Sequence, residues 1–80
     1  MFLHVDKAKY ISDYRLELKF NNNKVKIVDL KDELYGEVFE PLKNKEYFKD
    51  FFISHNTIEW KNGADFAPEF LFEIGESLWV

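Results

Sequence analysis

Apolar and polar residues alternate cleanly in two places near the start of the chain. Leu16, Leu18 and Phe20 interleave with Arg15, Glu17 and Lys19, and Val25 and Ile27 interleave with Lys24 and Lys26. The run Asn21-Asn22-Asn23 lies between them. Period-two patterning on both sides of an asparagine cluster predicts a β-hairpin, because asparagine tolerates positive φ and bonds its own backbone. On this phase Glu17 faces Lys24 and Lys26 across the strands, a pairing that stabilises hairpins modestly. Leu3, Val5, Tyr10 and Ile11 give a preceding extended segment, with Ser12-Asp13 as the turn. A three-stranded antiparallel meander over residues 2–30 follows.

The pattern then loses its regularity. Asp29, Asp32 and Glu33 around Leu30 and Leu34 suit a short helical turn or a loop that Gly36 ends. Glu37-Val38-Phe39-Glu40 reads as a short extended piece. Between Pro41 and Lys49 one helical turn fits, capped by Asn44, with Leu42, Tyr47 and Phe48 inward. A second hairpin follows: Asp50 to Ser54, a His55-Asn56 turn, then Thr57 to Trp60. Asn62-Gly63 marks a tight reversal. Pro68 and Glu69 open a helix, since proline fits its first position and an acid favours its positive end. Phe70, Leu71 and Ile74, joined by Phe66, form the apolar face, and Gly75 ends it. Leu78, Trp79 and Val80 make an apolar tail that packs on the core or meets a partner. The expected fold is α+β: an antiparallel sheet, made of the three-stranded meander plus a second hairpin, with a C-terminal helix packed on one face.

Composition narrows the function. Eighty residues allow one domain, residues 1–80. Aromatics reach 19%, with nine Phe, four Tyr and two Trp, and there is no cysteine. Large rings must therefore build a core that no disulfide or thiolate–metal site supports. The apolar share of 46% excludes a disordered chain. A net charge of −4 argues against general binding to nucleic acid or anionic lipid. No apolar run is long enough for a membrane span, and the start lacks the basic-then-apolar form of a signal peptide, so a cytoplasmic protein is expected.

Chemistry-bearing patterns are sparse. Ser12, Ser54, Ser77 and Thr57 stand outside any Gly-rich elbow. Ser54 and His55 are neighbours, but adjacent strand residues point to opposite faces and should not share a proton. His4 and His55 lack paired metal-ligand spacing, and Gly36, Gly63 and Gly75 are too far apart for a phosphate cradle. No cofactor and no metal are expected. Asp65, Glu69 and Glu73 could align on one helical face as an acid–base group, although a solvated face explains them as well. Lys7, Lys9, Arg15, Lys19, Lys24 and Lys26 could gather on the outer face of the meander as a nucleic-acid surface.

The segment from Ile58 to Phe72 reads Ile-Glu-Trp-Lys-Asn-Gly-Ala-Asp-Phe-Ala-Pro-Glu-Phe-Leu-Phe. It resembles the closing signature of the bacterial family called domain of unknown function 2442: aliphatic, any, Trp, any, Asn-Gly-Ala-Asp, apolar, any, Pro-Glu, any, Leu, aromatic. The stretches from Tyr14 to Phe20, Val28 to Leu30 and Phe39 to Leu42 agree as well, so the resemblance covers nearly the whole chain. Asn23-Lys24 stands where many members have Asp-Gly, which touches only the hairpin turn. Trp60, Asn62, Gly63, Asp65, Pro68 and Glu69 are the signature residues to test as an interaction surface. Each also has a backbone reason to be there: Trp60 plugs the layer between sheet and helix, Asn62-Gly63 reverses the chain, Asp65 receives N–H groups at the helix entry, and Pro68 presets φ. The resemblance implies a small protein with no catalytic activity attached. Some members precede a helix-turn-helix, which is not expected here, and some are encoded beside another small protein in an arrangement similar to a toxin–antitoxin pair. The expectation is a non-enzymatic protein-interaction or regulatory module. Its partner would be another small protein or a second copy, with nucleic acid as the alternative.

Overall fold

The computed structural model describes residues 2–77. The meander consists of β1 (Val5–Ser12), β2 (Arg15–Phe20) and β3 (Val25–Asp29), paired antiparallel in that order. The sequence-predicted tail at Leu78, Trp79 and Val80 lies outside the described residues. The two residues before it, β6 (Glu76–Ser77), add a short strand to β3 and complete the four-stranded order β1-β2-β3-β6. The turns hold because their residues accept left-handed backbone. Asp13 takes φ 46° between β1 and β2, and Asn23 takes φ 69° between β2 and β3. Asn22 accepts the Lys24 N–H through its side chain, and Asn21 ties the N-terminal segment by accepting from His4 N–H and donating to the Phe2 carbonyl.

The hairpin has the opposite phase in β3 from the one read in the sequence. Leu16 stands opposite Val28 and Leu18 opposite Lys26, so Lys26 and Val28 share the inner face. Val25 and Ile27 lie on the outer face, and Glu17 stands between Lys9 and Ile27 rather than against Lys24 or Lys26. The connection at Asn21–Lys24 fixes this register through Phe20 N–H to the Lys24 carbonyl, and a one-residue offset inverts every side chain. An inward lysine survives because its ammonium is used. Lys26 Nζ donates to the Phe72 carbonyl at 2.6 Å and lies 3.7 Å from the Phe72 ring centroid, at the C-terminal end of the terminal helix.

The middle of the chain forms 3₁₀ turns at Lys31–Glu33 and Glu37–Lys43, then α1 (Lys45–Phe48). The extended piece expected at Glu37 to Glu40 is therefore helical: Gly36 turns at φ 93° and its carbonyl accepts the Phe39 N–H. Asn44 caps α1 as expected, accepting from Glu46 N–H, and Leu42 and Phe48 are buried. The second hairpin is β4 (Phe52–Ser54) and β5 (Thr57–Glu59), joined by His55 and Asn56 at φ 54° and 71°, the mirror-image turn that matches strand twist. The α2 helix (Pro68–Ile74) starts at its proline and stops at Gly75. Gly75 has ordinary negative φ; a Cβ there would lie 3.0 Å from the Leu71 carbonyl and from Lys26 Cβ, so glycine permits the close crossing.

Much of the aromatic surplus becomes a connected set of rings. Tyr10 and Tyr14 contact Phe48 edge-on, Phe48 meets Trp60, Trp60 meets Phe66, and Phe66 stacks on Phe39 and Phe70. Phe20 and Phe72 form a separate edge-to-face pair that seats α2 on the sheet. These rings enclose Leu16, Leu18, Val28, Leu30, Ile58 and Leu71, all fully buried. Among the described residues no helix is long and apolar enough to cross a membrane.

Candidate interaction surface

The signature residues separate into those bonded into the fold and those left free. Trp60 is fully buried just after β5. Its indole N–H donates to the Phe48 carbonyl at 2.9 Å, so it anchors α1 as well as filling the layer under the hairpin. Trp60 N–H donates to the Ala64 carbonyl, and Gly63, at φ 89°, returns its N–H to Trp60. Asn62 accepts from Ala64 N–H at 3.1 Å and donates to the Val38 carbonyl at 2.8 Å, fastening the signature loop to the 3₁₀ segment. Thr57 Oγ1 donates to the Phe66 carbonyl at 2.6 Å. Pro68 opens α2.

Asp65 does not have the role expected of it. It bridges Glu59 through backbone and lies before Ala67, the residue that precedes the helix without any side-chain cap. Among the described residues its carboxylate makes no hydrogen bond, and it is exposed, as are Glu69 and Glu73. The structure places Glu69 and Glu73 on α2 and Asp65 outside it, so the three do not share one helical face.

Ser54 and His55 do touch, contrary to the alternation rule. His55 sits in the left-handed turn, which folds its ring back so that Nδ1 is 3.0 Å from Ser54 Oγ and 3.3 Å from Glu59 Oε1. Both partners use the same ring nitrogen. A hydroxyl–imidazole–carboxylate relay needs one on each nitrogen, so this arrangement is a turn clasp. Its position was hidden in sequence because left-handed turn residues do not obey strand alternation. Among the described residues no group of three His, Cys, Asp or Glu side chains is placed to hold a metal.

Charge concentrates at the β1–β2 turn. Asp13 receives Lys45 at 3.0 Å, and Arg15 lies 3.9 Å from Asp13 and 3.6 Å from Asp29. The Lys45 ammonium, by hydrogen bond and charge, holds the Asp13 carboxyl below its ordinary range, and Asp13 raises Lys45 in return. These residues, with Tyr14 and Lys31, line a shallow depression of about 260 Å³.

The outer face of the sheet is the feature that sequence phasing obscured. Register places Lys7, Lys19 and Val25 in one row and Lys9, Glu17, Ile27 and Glu76 in the next. Arg15 and Asp29 follow. Of the six basic residues expected there, Lys7, Lys9, Arg15 and Lys19 are on this face; Lys26 is on the other, and Lys24 sits exposed at the turn. Lys7, Lys9 and Lys19 have no ion pair among the described residues. A shallow depression of about 290 Å³ lies near the end of α2, lined by Arg15, Ile27, Asp29, Ile74 and Glu76.

Fold and surface together define a small α+β module. Helices and 3₁₀ turns close one side of its meander, and the other side is a lysine-bearing sheet face. The chain belongs to the family described as protein of unknown function (DUF2442), whose model matches residues 5–77. No curated protein and no solved structure matches it.

Proposed function

We propose that this chain is a non-enzymatic interaction module that binds another small protein, in the manner of an antitoxin with its toxin. The observation that supports the reading is the outer face of the meander, where Lys7, Lys9 and Lys19 stand beside the aliphatic Val25 and Ile27 on a face opposite the core. Such a face offers a partner charges to complement and an apolar strip to cover. The bonded half of the signature serves to hold the fold that presents this face.

The nucleic-acid alternative draws on the same lysines. It loses Lys26 to the inner face, and the strand aromatics Tyr10 and Phe20 lie inward. Among the described residues the outer rows thus offer no ring on which a base could stack.

The test is co-expression with the products of the two adjacent genes, followed by size-exclusion chromatography with light scattering. A stable stoichiometric complex with one of them is expected. A chain that elutes as a monomer with neither product bound contradicts the reading.

A further inference from the structure

Building on the interaction reading, we propose that the docking surface is the corner formed by Lys7, Lys9 and Lys19, and that its occupant is an acidic segment of the partner. Carboxylates of that segment meet the lysines, and its aliphatic side chains lie on Val25 and Ile27.

The central observation is Lys7 directly opposite Lys19. Like charges paired across two strands destabilise a sheet. Lysines on an edge strand have a common purpose, which is to prevent sheets from pairing edge to edge. That purpose accounts for Lys7 and Lys9 on β1, an edge strand. It does not account for Lys19, because β2 is hydrogen-bonded on both sides. A cation placed opposite another on a central strand, with no ion pair among the described residues, conflicts with local stability. Such conflicts occur where function requires them.

Charge selects the occupant. The chain as a whole carries −4, so this corner is a positive region on an acidic molecule. A second copy docked face to face would bring lysines against lysines. A long polyanion would meet repulsion from the rest of the surface. A short acidic segment with interspersed apolar residues meets neither objection: its carboxylates answer the lysines and its apolar side chains cover Val25 and Ile27.

The test is a ¹⁵N NMR titration with a short synthetic Glu-Glu-Val-Val repeat peptide, which carries both residue types on each face when extended, with oligothymidine titrated in parallel. The peptide is expected to shift the amide signals of Lys7, Lys9, Lys19 and Val25. Binding should weaken as the Debye length falls from about 10 Å to about 3 Å with added salt. The Lys7→Gln/Lys19→Gln variant, whose spectrum reports its fold, should bind about tenfold more weakly. Three results overturn the proposal: no peptide shifts at this corner, unchanged affinity in the variant, or tighter binding of oligothymidine than of the peptide. This titration reads the surface directly, whereas the co-expression experiment reads the existence of a protein partner, so the two proposals fail separately.

Discussion

Replacing Trp60 by phenylalanine probes whether the family signature is a structural latch. Phenylalanine keeps much of the ring packing against Phe48, Phe51 and Phe66. It removes the N–H that donates 2.9 Å to the buried Phe48 carbonyl. A buried acceptor left without its donor costs about 1–3 kcal/mol. The lost ring volume leaves a cavity at a fully buried site that adds about 1–2 kcal/mol, less than the full truncation of a tryptophan. The expected loss is therefore about 2–5 kcal/mol, against about 4–12 kcal/mol for a chain of 80 residues. Urea unfolding followed by far-UV circular dichroism measures it. Asp65→Ala is the control: its exposed carboxylate makes no hydrogen bond among the described residues, so stability should change by less than about 0.5 kcal/mol. A Trp60→Phe protein within about 1 kcal/mol of wild type, with an otherwise unchanged NMR spectrum, would refute the latch.

Three further outcomes follow from named contacts. Lys7→Glu places opposite charges across Lys19 and should stabilise the protein by about 0.2–1 kcal/mol in the same denaturation assay; a loss of stability contradicts the register. Lys26→Met keeps the aliphatic stem but removes the amine from the Phe72 carbonyl and ring, so it should cost about 1–2 kcal/mol, and a neutral result would mean that the inward lysine does not hold α2. Asp13 is held below its ordinary 3.8 by Lys45, so its stabilising contribution is present above that pH and disappears as pH falls through the lowered value. Lys45 is raised above its ordinary 10.5, so its contribution is present below that pH and disappears as pH rises through the raised value. Thermal melts of wild type and Asp13→Asn should therefore differ at neutral pH and converge in strong acid; a difference that grows in acid contradicts the pairing.

The sequence was most informative where a residue's own backbone preference decides the structure. Asn23 and Asn56 in left-handed turns, Asn44 as a cap, Gly63 at the reversal and Pro68 at the helix start all act locally. It was least informative where a distant partner decides. Lys26 looks like an outward residue until α2 supplies a carbonyl and a ring for its ammonium, and that exchange moves Val25 and Ile27 to the outer face. Asp65 looked like a cap because acids often are, but the chain enters α2 through Ala67 and Pro68, leaving it outside. The Ser54–His55 contact depends on a turn conformation that strand alternation does not describe. The signature was legible as a motif. Its division into Trp60, Asn62, Gly63 and Pro68, which hold the fold, and Asp65 and Glu69, whose carboxylates are exposed, required geometry.

The most direct measurement is lysine-selective acetylation of the co-purified complex, read by mass spectrometry against the free chain. Lys7, Lys9 and Lys19 are expected to become protected in the complex, while Lys31 and Lys61 label as they do in the free protein. Equal labelling of all five lysines, or protection confined to Lys61 beside the signature loop, would contradict the proposed surface.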